Sequence, residues 1–381
     1  MDVVKNSSNK STAGISGVGY QMIKHASKKV HELLTQLANL CFSAQLVPTQ
    51  WKMTSLFPIP KPKDWDYNIA NTRPILLIEC VQKLTVKALN NRLSTIFTSH
   101  NVLKGPNYAG LKGSSTAIPI HTICNIMEDA REKNKELWIA AQDMAKAFDS
   151  VGLTPLRKAL LRIKVPTRTI NLIIDLFEQR QIWIITGYGF TDFFTGHDGI
   201  DQGETIFSLL WRIFYDPLLC QIQNKQNSYI MSSRIPTGTQ EHSTTFSSST
   251  SAFADDTLFL GSNKEDIQQT IDISNEFFAI NDIKINGDKS ELIILNSSQL
   301  HDEEYVTMGE QNTIVTVNHS LEDTRFLGIY LRSKKGYDHV VRRIREIILD
   351  FNRRLTNKKM TSSLHTYLAN RVLIPKLEYL H

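Results

Sequence analysis

Apolar positions along the chain fall into two rhythms. Between residues 23 and 45 they recur at Val30, Leu33, Leu34, Leu37 and Leu40. That three-and-four spacing marks one face of a helix, and Pro48 ends it. The same rhythm predicts helices over residues 81–97 and 116–133. Thr154 and Pro155 open another as N-cap and first position, and Thr167 caps a fourth that carries Ile170, Ile173, Ile174 and Phe177. A long amphipathic helix follows Gly203 and runs to about residue 223. A further one starts at the cap Asn263, bears Ile267, Ile271, Phe277 and Phe278, and ends near Asn286-Gly287. Residues 342–355 and 362–373 close the chain as helices.

The second rhythm is short runs of β-branched, aromatic and aliphatic residues. They predict strands at 137–142, 292–295 and 324–331, and a hairpin over 181–194 around Gly187 and Gly189. Residues 251–260, SAFADDTLFL, predict a tight hairpin with Asp255 and Asp256 at or beside its turn, because Asp suits turns and its neighbours suit strands. The stretch 224–250 is polar and rich in Ser and Thr, so an exposed or poorly ordered insertion is expected there.

Composition narrows the class. The 381 residues are 41% apolar and 21% charged, which is ordinary for a soluble globular protein. No apolar run approaches the roughly 18 to 20 residues of a membrane span, and the N-terminus lacks a signal-peptide core. Cys41, Cys80, Cys124 and Cys220 show no CxxC spacing, so neither a disulfide framework nor a zinc site is indicated, and an intracellular setting is expected. Of the net charge of +5, residues 332–381 carry +8, from twelve Lys and Arg against four Asp and Glu. A basic end on a near-neutral body suits a polyanionic partner.

The candidate chemistry starts from Asp255 and Asp256. Adjacent carboxylates resist joint ionisation unless a cation sits between them, and a hard divalent ion with oxygen ligands, Mg²⁺ first, answers that need. A solvated turn is the bland alternative for the pair alone. Asp143 follows the predicted strand 137–142, at the end where α/β sheets gather ligands. A Pro- and Asn-rich loop carries Lys61, Lys63 and Arg73, side chains suited to phosphate oxygens. Three carboxylates at neighbouring strand ends with cations nearby suit a pair of ions roughly 3.5 to 4 Å apart, and hence phosphoryl transfer.

The order of these stretches resembles the reverse transcriptase domain of non-LTR (LINE-type) retrotransposons, with group II intron reverse transcriptases as more distant relatives. The likeness covers residues 14–375 and rests on TRPILLIECVQKL, QDMAKAFDSV, GIDQG, FADD, INGDKSE and FLGI in that order. It implies an α+β right-hand polymerase fold: an N-terminal segment and fingers over 1–135, a palm over 136–331, and a partial thumb of basic helices over 332–381. It implies two Mg²⁺ ions, with Mn²⁺ as a substitute, on Asp143, Asp255 and Asp256. Lys61 or Lys63 would join Arg73 on the triphosphate, with Gln202 and Gly203 bordering the nucleotide. Phe148 would stand against the sugar as a steric gate, Lys289 would donate a proton to the leaving pyrophosphate, and Phe326, Leu327 and Gly328 would grip the primer. Arg342, Arg343 and Arg345 would follow a duplex backbone, and Asp149 would be structural.

An RNA template, a DNA primer and deoxynucleoside triphosphates are the partners so implied. One departure stands out: Phe207-Ser208 occupies the place of the family's Ser-Pro. With the short basic end it leaves a second reading, a catalytically inactive protein of the same kind that binds RNA or RNA–DNA, as a fragment or a decayed copy.

Overall fold

The computed structural model describes residues 2–9, 11–61, 67–201, 203–225, 228–237, 240–299, 303–318, 322–334, 336 and 338–378. Its strands in chain order are β1 (Met53–Pro60), β2 (Thr72–Leu77), β3 (Leu137–Gln142), β4 (Arg180–Thr186), β5 (Gly189–Phe190), β6 (Phe194–Gly196), β7 (Tyr229–Thr237), β8 (Gln240–Ser248), β9 (Thr250–Phe253), β10 (Asp256–Gly261), β11 (Glu291–Leu295), β12 (Tyr305–Met308), β13 (Thr313–Thr316), β14 (Thr324–Phe326) and β15 (Ile329–Leu331). The chain divides into two compact units. One comprises Met1–Ser115, Met144–Asn224 and Ile273–Ile285; the other comprises Thr116–Asp143, Lys225–Asp272 and Asn286–His381.

The first unit holds a sheet of order β2-β1-β4-β5, with β6 also on β4. β1 runs antiparallel to β2 and parallel to β4. Leu56, Leu76 and Ile182 pack with Ile78 on one side of it. The main core element is the helix Phe207–Asn224, where Leu209, Leu210, Trp211, Ile213, Phe214, Tyr215, Leu218, Leu219 and Ile222 are all buried. A helix apolar nearly all round belongs inside a domain. Its one buried charge, Asp216, accepts the Gly105 N–H at 2.8 Å and pairs with Arg162. Pairing is what makes such a burial tolerable.

The second unit is built on the antiparallel sheet β11-β3-β10-β9. Leu137, Trp138, Ile139 and Ala140 of β3 are buried on both faces, as a central strand requires. Ile139, Leu258, Leu260, Ile293 and Leu295 pack against Ile123, Ile126, Met127 and Ala130 of the helix Ala117–Glu132. Those four recur at three and four residues, so the helix turns one stripe to the sheet. Each Ile, Leu or Met among them contributes about 1.5–3 kcal/mol by leaving water.

Several expectations are corrected. The 23–45 helix is two: Tyr20–Lys24, then Lys28–Ala44 capped by Ser27 and closed at Gln45 in the left-handed region. Val30, Leu33 and Leu40 face solvent, and the inward stripe is the partly buried Leu34 and Leu37 with the buried Cys41. Thr154 caps nothing: the helix Leu153–Arg162 begins one residue earlier, and the Leu153 N–H donates to the distant Asp198 carboxylate at 3.2 Å. Thr167 is likewise inside its helix, with Pro166 as N-cap.

Asn263 does cap its helix, its Oδ1 accepting the Asp266 N–H at 2.8 Å. Residues 324–331 are two strands, β14 and β15, because Leu327 and Gly328 both turn to positive φ. The last predicted helix, 362–373, is Ser362–Leu368 followed by a π turn at Ala369–Leu373 and by Ile374–Glu378.

The polar insertion contains a strand pair, and Ile230 and Phe246 in it are exposed, as expected of the stretch. β7 and β8 pair along nine registered positions, from Tyr229↔Ser248 to Thr237↔Gln240. The Tyr229 hydroxyl donates to Asp129 at 2.8 Å, and the Lys135 ammonium donates to the Ile230 carbonyl at 3.0 Å, fixing the base of the ribbon to its own unit. Threonine favours strands even where overall composition suggests disorder.

Candidate active site

In the second unit, β9 and β10 form the hairpin foreseen around Asp255 and Asp256. Asp256 pairs with Phe253, so Ala254 and Asp255 are the two turn residues and Asp256 opens the outgoing strand. Ala254 sits at φ +56°, a left-handed conformation that costs a non-glycine residue about 1 kcal/mol. Strain of that kind gathers where side-chain placement matters more than stability.

Asp143 stands one residue past β3, the central neighbour of β10. Its N–H donates to Ser290 Oγ at 3.1 Å, and its carbonyl accepts the Asn286 N–H at 2.9 Å. The turn Gly287–Lys289 is thereby fastened to the end of β3, placing exposed Lys289 at the same corner. Gly287 is required there, because a β-carbon would lie 2.5 Å from that of Thr313.

The three carboxylates affect one another. Burial raises the Asp255 carboxyl above its ordinary pKa, and the charge of Asp143 adds to the rise. Asp256 keeps an exposed edge, yet its crowded surroundings, with Asp255 and Asp143, push it up to about 6 against the pull of Arg325. Among the described residues, no three His, Cys, Asp or Glu side chains already converge on a point that could hold an ion. The donor set nonetheless fits a hard divalent cation: it is all oxygen, and its own charges repel.

Arg325 was missed by sequence reading. It precedes the Phe326–Gly328 stretch, where Phe326 is buried in the core and Leu327 and Gly328 form the β14–β15 turn. Arg342, Arg343 and Arg345 are exposed on the helix Asp338–Leu355. Arg343 meets Glu346 at 3.2 Å and lies over the Tyr330 ring.

The remaining candidates belong to the first unit. Arg73 is exposed on β2, across from Ile59, and Lys61 follows β1 with its N–H donating to the Asn71 carbonyl at 2.9 Å. Lys63 and Gln202 lie outside the described residues. Gly203 has φ +134°, and a β-carbon on it would come 2.8 Å from the Leu76 carbonyl oxygen, so β2 and this loop touch through a residue that must be glycine. Phe148 joins the same place: its carbonyl accepts the Ile200 N–H at 3.0 Å. Asp149 is exposed, and its main chain abuts Gly199.

Two unforeseen residues hold that loop. Arg180, 4% exposed, pairs with buried Asp201 and donates Nε–H to the Phe177 carbonyl at 3.0 Å and Nη2–H to the Gly199 carbonyl at 3.3 Å. Gln82 donates to the buried Glu204 carboxyl at 2.9 Å. An Asp directly before Gln202-Gly203 was the available signal, but its partner could not be read.

Residues 59–331 match the model of a family described as reverse transcriptase (RNA-dependent DNA polymerase). Over 255 residues the chain is 28% identical to a retrovirus-related Pol polyprotein from the type-1 retrotransposable element R2 of Popillia japonica, covering 66% of this chain and 33% of that protein. Over 223 residues it is 25% identical to a probable RNA-directed DNA polymerase from transposon BS of Drosophila melanogaster, covering 58% of this chain and 24% of that one. The chain thus spans a third or less of these curated relatives. Among solved structures, apo telomerase from Candida tropicalis, truncated from its C-terminal domain, aligns at 14% identity with a TM-score of 0.49, covering 80% of this chain and 59% of that one. Among the described residues no helix is long and apolar enough to cross a membrane.

Proposed function

The chain belongs to the reverse transcriptase (RNA-dependent DNA polymerase) family, with relatives among the Pol proteins of non-LTR retrotransposons and with that family's α+β right-hand polymerase fold, and on this premise we propose that it extends a DNA primer on an RNA template. The observation that carries the proposal is the placement of Asp143 just past β3 and of Asp255 and Asp256 at the neighbouring end of β10, where the charge of Asp143 bears on both of the others.

In this reading the primer 3′-hydroxyl attacks the α-phosphorus of a deoxynucleoside triphosphate and pyrophosphate leaves. Asp143, Asp255 and Asp256 would hold two Mg²⁺ ions, or Mn²⁺ in their place, which supply positive charge to the phosphate oxygens. Arg73, with Lys61 or Lys63, neutralises and orients the triphosphate. Lys289 gives a proton to the departing pyrophosphate. Gly203 lets the main chain approach the nucleotide beside Gln202, and Phe148 stands against the sugar where a 2′-hydroxyl would project. Phe326, Leu327 and Gly328 support the primer end, while Arg342, Arg343 and Arg345 follow the duplex backbone without reading sequence. Residues 1–135, 136–331 and 332–381 serve as N-terminal segment and fingers, palm and partial thumb.

The test is primer extension by the purified chain on an RNA template with deoxynucleotides and Mg²⁺. Extension is expected, and Asp143→Asn or Asp255→Asn should lower it by about three orders of magnitude, the scale of several kcal/mol of lost charge stabilisation. Extension that survives either substitution overturns the ligand assignment. Salt-sensitive duplex binding with no extension by the wild-type chain would replace the proposal with an inactive binder.

A further inference from the structure

Phe207 occupies a place where the resemblance sets a small serine, and its ring is packed rather than idle. It opens the helix Phe207–Asn224, with Trp211 four residues on, so both side chains leave the same helix face. Phe148 meets both. Its ring centroid lies 5.4 Å from that of Phe207 with the planes at 74°, and 5.2 Å from that of Trp211 with the planes at 64°. These are edge-to-face contacts, the geometry in which a positive ring edge meets a negative face.

Trp211 is fully buried and packs on Phe214 and Tyr215, so it forms a fixed wall. Phe148 and Phe207 are each half-buried and form the solvent-side edge of this aromatic group. Their backbones answer to the same loop: the Phe207 N–H reaches the Glu204 carbonyl at 3.4 Å, and the Phe148 carbonyl accepts from Ile200. A serine at 207 would remove one of the two aromatic rings that meet Phe148.

We propose that Phe207 is a specificity-determining residue, whose edge-to-face contact holds the Phe148 ring in place and so sets how sharply deoxyribose is preferred over ribose. The inference rests on the reading of Phe148 as the residue against the sugar. The substitution that looks like a departure from the family then acts as a brace.

The test compares single-nucleotide incorporation of deoxy- and ribonucleotides on a primed RNA by the wild-type chain, Phe207→Ala, Phe207→Leu and Phe148→Val. Phe207→Ala should lower the deoxy-to-ribo ratio of kcat/KM about two- to twelvefold, the worth of one aromatic pair, with the change concentrated in KM for the ribonucleotide. Phe207→Leu, which keeps volume but loses the ring, should fall between. A lowered ratio in Phe148→Val with an unchanged ratio in Phe207→Ala overturns the proposal. An unchanged ratio in Phe148→Val overturns instead the reading of Phe148 on which it rests. A second measurement needs no turnover: in protein labelled with 4-fluorophenylalanine, the Phe148 resonance should shift in Phe207→Ala. An unaltered resonance also overturns the brace.

Discussion

In the unit that contains β1 and β4, two buried carboxylates meet opposite charges: Asp201 meets Arg180, and Asp216 meets Arg162. In the unit that contains β3 and β10, the charge of Asp143 bears on Asp255, and those of Asp255 and Asp143 bear on Asp256 against the pull of Arg325. The first arrangement fixes shape and is complete without a ligand. The second is left in mutual repulsion, and positive charge brought from outside is what relaxes it.

The sharpest way to break this contrast is to remove one partner of a satisfied pair. Arg180→Met should destabilise its unit by roughly 3–5 kcal/mol, because Asp201 would be left charged and buried. Urea unfolding measures this, and a cost below about 1 kcal/mol would show that the pair is not what holds the loop.

Glu204 is an intermediate case, hydrogen-bonded to Gln82 and the Thr205 N–H yet pushed by burial to about 7 from an ordinary 4.5. A raised folded-state pKa favours the protonated carboxyl. Its stabilising share is therefore whole below about pH 4.5 and is lost as pH climbs to about 7, a decline of roughly 3 kcal/mol. Unfolding free energy measured at pH 5 and pH 8 should show this decline in the wild-type chain, while Glu204→Gln should decline less by about that amount. Parallel curves for the two proteins would remove Glu204 as the cause.

The smallest effect should come from the strand-end carboxylates. Asp255→Asn removes one of three repelling charges, so in the presence of a chelator the melting temperature should hold or rise slightly, a change within about 1 kcal/mol. A clear fall would mean that Asp255 supports the fold and would erase the distinction between the units.

The local parts of this picture were legible in the sequence. Asn263 could be read as a cap because its partner is three residues away. The acidic hairpin could be read because turn and strand preferences alternate within ten residues, and Asp143 because a strand-like run ends beside it. The rest depends on distant partners that periodicity does not report. Ser290 holds Asp143 across 147 positions, Gln82 holds Glu204 across 122, and Asp198 caps a helix that begins 45 residues earlier. The ribbon of β7 and β8 escaped for another reason, since serine and threonine look like disorder by composition while a ladder uses their backbone.

That ribbon also determines how the chain can vary without losing its chemistry. Ser249 alone separates β8 from β9, and the anchors to Asp129 and Lys135 sit at the ribbon's base, beside Tyr229. Growth or loss at the far end, one residue in each strand at a time, preserves the pairing below it and leaves Asp255 where it is. The segment is a place where a lineage can try new lengths and new surfaces, with the register of the acidic hairpin held constant.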